Sequence, residues 1–138
     1  AAMIEPVSVA VHAAKRTPIS KGDTAAVIGV GMIGLLVVQA LKAAGCSKVI
    51  AVDLADEKLK LAQELGAGLG INPKTHDTAK SIQEATEGRG ADVTMEVLGA
   101  TPTVKTAVEG ADRRPRRADD NNFGKVRHFF RTYIHKCP

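Results

Sequence analysis

At 138 residues the chain has room for one domain with a real core, and 44% hydrophobic against 25% charged residues excludes disorder throughout. The richest apolar stretch, Met32 to Leu41, is interrupted by Gln39 and followed by Lys42, too short for a membrane span. The net charge of +4 is uneven: residues 1–111 carry eleven Lys/Arg against twelve Asp/Glu, and residues 112–138 carry eight against three.

All four aromatic residues, Phe123, Phe129, Phe130 and Tyr133, lie in that basic tail. Its mixture of cations and rings is compatible with phosphate neutralisation and base stacking, yet no nucleic-acid-binding motif organises it, and nucleic acid is not the expected partner. Cys46 and Cys137 are far apart, with no CxxC or Cys/His spacing. Neither a disulfide framework nor a zinc cage follows, and a reducing, cytoplasmic setting without a secretory leader is expected.

Ala1 to Lys15 reads as a helix with Pro6 in its first turn and Lys15-Arg16 at its end. Its valines leave a strand open as an alternative, and His12 reads as a packed or half-exposed residue, since no other His or Cys stands at metal spacing. Lys21-Gly22-Asp23 is a turn launching a strand from Ala25 to Gly29, and a helix from Met32 to Ala44 follows. Gly45 closes that helix, and Lys48–Val52 is the second strand. Asp56 to Leu65 is a helix whose Leu59, Ala62 and Leu65, with Leu61 beside them, form an apolar stripe. Leu69-Gly70-Ile71-Asn72 is a short third strand, and Thr75 or Asp77 opens a helix that stops near Gly88-Arg89-Gly90. Ala91 to Val97 is the fourth strand, and a last helix runs from about Pro102 to Val108.

Four strands alternating with helices predict an α/β, Rossmann-type parallel sheet in the order 3-2-1-4 with helices on both faces. Its ligand crevice should lie at the carboxyl ends of strands one and four. An apolar fifth strand is then due. Asp112 to Asn122 offers none, so residues 1–111 read as a partial domain and 112–138 as a tail outside the fold, expected to be out-of-frame or rearranged sequence.

The chemistry concentrates in Gly29-Val30-Gly31-Met32-Ile33-Gly34, where a strand hands over to a helix, with Asp53 nineteen residues after the last glycine. Gly29 permits the tight turn, Gly31 lets backbone approach a pyrophosphate, and Gly34 lets the helix pack on the sheet. The helix N-terminus favours an anion, and Asp53 would accept from the adenosine ribose hydroxyls while repelling a 2′-phosphate, which selects NAD over NADP. Methyltransferases and flavoproteins show similar turns, and a turn tightened for packing alone has the same glycines.

Taken together, Glu5-Pro6-Val7-Ser8-Val9, the glycine turn, Val52-Asp53-Leu54, Lys58-Leu59-Lys60-Leu61-Ala62, Leu65-Gly66-Ala67, Gly90-Ala91-Asp92-Val93 and Glu96-Val97-Leu98-Gly99 resemble the cofactor domain of medium-chain, zinc-type alcohol and polyol dehydrogenases. The resemblance covers residues 1–111. It implies NAD at the turn, with Lys58 as a second ribose contact or else a solvated helix residue, and Val97, Leu98 and Gly99 lining the adenine and nicotinamide side. It also implies that Glu5 lies near a catalytic zinc, the other reading being a helix N-terminal carboxylate. The reaction implied is hydride transfer between an alcohol or polyol and the nicotinamide, in an enzyme that is homo-oligomeric across the family. The Cys and His-Glu zinc ligands of that family belong to a domain not found here, so no catalytic residue is expected in this chain. A degenerate remnant and a non-catalytic nucleotide- or nucleic-acid-binding module are the alternatives.

Overall fold

The computed structural model describes residues 4–98, 101–111 and 125–128. Helix α1 (Ile4–Arg16) opens the fold and is followed by β1 (Thr24–Ile28), α2 (Met32–Ala43), β2 (Lys48–Val52), α3 (Asp56–Glu64) and β3 (Leu69–Ile71). Then come α4 (Thr78–Ala85), β4 (Val93–Glu96), α5 (Thr101–Gly110) and β5 (Lys125–His128). The sheet order is β3-β2-β1-β4-β5, with every pairing parallel.

The order 3-2-1-4 is as expected from the right-handed crossover rule. Beyond it, Lys125–His128 add a fifth parallel strand, with Thr94 opposite Val126 and Glu96 opposite His128. These four residues lie in the stretch expected to stay outside the fold. Strand pairing satisfies backbone groups, so the open edge of β4 can be met by an extended segment that lacks a continuous apolar run. The rest of that stretch, with Cys137 and the ring-bearing residues, lies outside the described residues.

Period-two alternation divides the core between the two faces of the sheet. Ala25, Val27, Val49, Ala51, Val93 and Met95 point to one face, packed with Ala10 of α1, Val37, Val38 and Leu41 of α2 and Leu59 of α3. Ala26, Ile28, Ile50 and Val52 point to the other, against Ile82 of α4 and Ala107 of α5. All five residues of β1 are buried, as a central parallel strand covered on both sides must be.

The helix reading of α1 prevails over the strand because a helix gathers Val9, Ala10, Ala13 and Ala14 on one buried face. Asp77, not Thr75, starts α4: its Oδ1 accepts from the Lys80 N–H at 3.0 Å, an N-cap bond. In α3 only Leu59 and Ala62 of the expected stripe are buried, and Leu61 and Leu65 are exposed. Helix α5 runs on to Gly110, and Ala91 makes an isolated bridge to Ala111 ahead of the strand proper.

Cys46 sits under the end of α2, 3% exposed, its N–H donating to Leu41 O at 3.1 Å. Burial, reinforced by the negative charges of Asp23 and Asp92, pushes the thiol up from 9.0 to about 11. Since the folded value lies above the unfolded one, the contribution is complete below pH 9 and is lost as pH rises through 11. Urea melts of the wild type and Cys46→Ala should show the stability difference shrinking across that interval; a constant difference would contradict the assignment.

Candidate functional site at the glycine turn

Strand β1 ends at Ile28, whose carbonyl accepts from Val97 N–H at 3.0 Å, while Gly29 N–H donates to Val52 O at 2.8 Å. The three strand ends thus meet at one level, with Ile28 opposite both Val52 and Glu96. Gly29 takes φ +92°, a left-handed conformation that glycine adopts without strain, and the chain turns there away from the sheet.

Gly31 is the N-cap of α2 with φ −69° and ψ −165°, and neither a capping side chain nor an acidic residue stands in the first turn. The first returning bond is Leu35 N–H to Gly31 O at 2.9 Å. The amides of Met32, Ile33 and Gly34 precede it and, by helix geometry, have no carbonyl within α2 to reach. Partial positive charge is therefore concentrated where no side chain of the helix's own first turn neutralises it. A Cβ built on Gly31 would meet nothing within 4 Å, so the space over the turn is open. A Cβ on Gly34 would run into the Gly29 carbonyl, so the helix lies hard against the turn. The three glycines thus occupy three different physical situations: a left-handed turn, an open face and a close packing contact.

Asp53, partly buried just past β2, spans two loops. Its Oδ2 accepts from Val30 N–H at 3.0 Å, and its Oδ1 accepts from Ala55 N–H at 3.0 Å. The carboxylate is thereby fixed beside the turn, with one further lone pair on each oxygen available to a hydroxyl donor. Three exposed apolar side chains follow the ends of β1, β2 and β4: Met32 (58%), which opens α2, Leu54 (57%) and Leu98 (55%). Val97 is buried, and Leu98 lies over Gly29, its Cγ 2.6 Å from where a Gly29 Cβ would be. Ile33 is half-buried in the first turn of α2, packed against the core.

Lys58 is exposed on the first turn of α3, and Gly99 lies outside the described residues. Glu5 is an exposed carboxylate in the first turn of α1, and His12 is exposed on the same helix. Among the described residues no group of three or more His, Cys, Asp or Glu side chains could hold a metal ion. A cavity of about 300 Å³ lies between β3 and α4, lined by Leu69, Ile71, His76, Ser81 and Glu84, and does not include the turn.

Glu96, present in the sequence motif but given no role from it, is 1% exposed, and its Oε1 accepts from both Leu98 N–H and Thr103 Oγ1 at 2.8 Å. The available signal was a carboxylate inside an otherwise buried strand. The Val30–Asp53 bond, joining residues 23 apart, was likewise not foreseen.

Strand, glycine turn, a helix without a capping side chain and an acid fixed at the next strand end make this a Rossmann-type protein. Residues 32–116 match the model of the family described as zinc-binding dehydrogenase, and the chain belongs to that family. The matched region is its NAD-binding part, and the family's complete enzymes use NAD and zinc.

The chain is similar to (R,R)-butanediol dehydrogenase of Bacillus subtilis, 44% identical over 108 residues that cover 78% of this chain and 31% of that protein. It is 39% identical to sorbitol dehydrogenase of the same organism, over 82% of this chain and 32% of the relative. The crystal structure of 2R,3R-butanediol dehydrogenase from B. subtilis superposes with a TM-score of 0.76 at 41% identity, covering 81% of this chain and 32% of that one. The chain spans about a third of the length of these relatives. No described helix is long and apolar enough to cross a membrane.

Proposed function

We propose that the glycine turn and Asp53 bind NAD(H), and that this chain is the cofactor-binding part of a zinc-dependent alcohol or polyol dehydrogenase, working in the cytoplasm. The observation carrying this reading is the fixed Asp53 carboxylate beside the N-terminus of α2, whose own first turn has neither a capping side chain nor an acid. The pyrophosphate is received by the Met32 and Ile33 amides over Gly31, and the dipole of α2 favours its charge. Asp53 accepts from the adenosine ribose, and Lys58 supplies the second ribose contact. Val97, Leu98 and Gly99 form the wall toward the adenine and nicotinamide, while Met32 and Leu54 add apolar cover.

When bound, the nicotinamide supplies the acceptor for a hydride from a small alcohol or polyol. The residues of this chain bind and orient it, and none takes part as a catalytic residue. The described residues do not fit the zinc, because no metal-holding group is among them. Its ligands are assigned, as the family resemblance implies, to the family's separate zinc-binding domain, with Glu5 near the metal rather than holding it.

Charge and arginine content change near Asp112, and we infer that residues 112–138 follow a different reading of the coding sequence. An alternative frame that encodes an apolar strand followed by glycine would support this, and its absence would refute it.

Calorimetric titration of the folded chain tests the cofactor assignment. NAD should bind with a 1:1 stoichiometry and NADP at least about tenfold more weakly, a difference of roughly 1.4 kcal/mol. Equal affinity for both, or none for either, would overturn it.

A further inference from the structure

Glu96 is the last residue of β4 and is 1% exposed. Taking a carboxylate out of water costs several kcal/mol unless hydrogen bonds compensate, and an apolar residue would suit the strand itself. Its neighbours indicate what it does instead. One oxygen, Oε1, accepts from Leu98 N–H at 2.8 Å and from Thr103 Oγ1 at 2.8 Å. It therefore joins the segment leaving β4 to the first turn of α5.

Leu98 in turn lies over the glycine turn. A Cβ on Gly29 would be 2.6 Å from Leu98 Cγ and 3.1 Å from both Leu98 Cδ atoms. Holding the Leu98 backbone therefore limits where its side chain can stand above Gly29. The arrangement mirrors the other side of β1, where Asp53 accepts from Val30 N–H. The pairing of Ile28 with both Val52 and Glu96 sets the two carboxylates at neighbouring levels.

We propose that Glu96 is a positioning residue of the cofactor crevice: through Leu98 it holds the wall that faces Gly29, while Asp53 holds the turn from the opposite side. The inference rests on the reading of the turn as an NAD site. A carboxylate retained only for stability would leave ligand affinity untouched once the protein is folded. A positioning carboxylate alters affinity, and alters it through Leu98.

The test is a double-mutant cycle of Glu96→Gln and Leu98→Ala, read by NAD titration well below the unfolding temperature. Glutamine keeps one acceptor but loses the charge that strengthens both bonds. Glu96→Gln should weaken NAD about tenfold in the wild-type background and less than about twofold when Leu98 is already alanine. In the ligand-free chain, hydrogen exchange at the Leu98 amide should accelerate about tenfold in Glu96→Gln.

A lower melting temperature with unchanged NAD affinity would overturn the proposal. So would an equal loss in both backgrounds. If Glu96→Gln does not fold, Thr103→Val removes one donor to the same oxygen and should weaken NAD about threefold, again only with Leu98 present. Wild-type chain that binds no NAD would overturn the site reading and this inference together. Normal wild-type binding with no effect of either variant would overturn this inference alone.

Discussion

Gly31→Ala is expected to fold like the wild type and to lose NAD, whereas Gly34→Ala, three residues away, is expected to compromise the fold itself. Gly31 has φ −69° and ψ −165°, an extended conformation open to alanine, and its Cβ would meet nothing within 4 Å. The stability change should stay within about 1 kcal/mol, a weaker N-cap set against a stiffer unfolded chain. The methyl would occupy the space in which a pyrophosphate approaches the α2 amides. Affinity for NAD should fall about a hundredfold, or roughly 2.7 kcal/mol.

At Gly34 the added Cβ meets the Gly29 carbonyl, which is backbone and cannot rotate aside. Relief requires moving α2 off β1, with Val37, Val38 and Leu41 drawn out of their packing. Overpacking of this kind typically costs about 1–3 kcal/mol, and a backbone collision should lie at or above the upper figure. That is a large part of the roughly 5–15 kcal/mol stability of a small domain. Urea melts combined with NAD titration separate the two variants. Similar stability losses in both would mean that the glycines serve packing alone.

The second large effect is at Asp53. Asp53→Asn should weaken NAD by about 2–3 kcal/mol, because a charged acceptor contributes about 1.5–3 kcal/mol and the amide presents one oxygen where the carboxylate has two. The same substitution removes the repulsion of a 2′-phosphate, so preference for NAD over NADP should shrink severalfold. Stability should fall by about 1–3 kcal/mol, since Val30 N–H or Ala55 N–H loses its acceptor. Titrations with both cofactors and a parallel melt measure all three quantities. An unchanged NAD to NADP ratio in a folded Asp53→Asn variant would remove Asp53 from the ribose.

What the sequence made legible was the local signal. The glycine turn, Asp53 and the strand order follow from spacing and from the right-handed crossover rule, and each is where it was expected. Less legible were features that depend on partners distant in the chain. The valines of α1 argued for strand as well as helix, and packing of Val9, Ala10, Ala13 and Ala14 against the body of the fold decides between them. Asp53 looked like a ligand contact alone, but its grip on Val30 becomes visible only when β1 and β2 lie side by side. Glu96 was hidden because its role depends on Leu98 and Thr103 converging on a single oxygen. The pairing of Lys125–His128 with β4 was missed because backbone pairing leaves little mark on composition.

The reading as a whole depends on a dinucleotide lying across the glycine turn, and amide chemical shifts followed during NAD titration of the folded chain test this most directly. The largest changes should fall on Met32, Ile33 and Gly34, with further changes at Val30, Asp53, Val97 and Leu98, and little at His76, Ser81 and Glu84 around the cavity between β3 and α4. Saturable changes centred on that cavity, with the amides of α2's first turn unmoved, would contradict it.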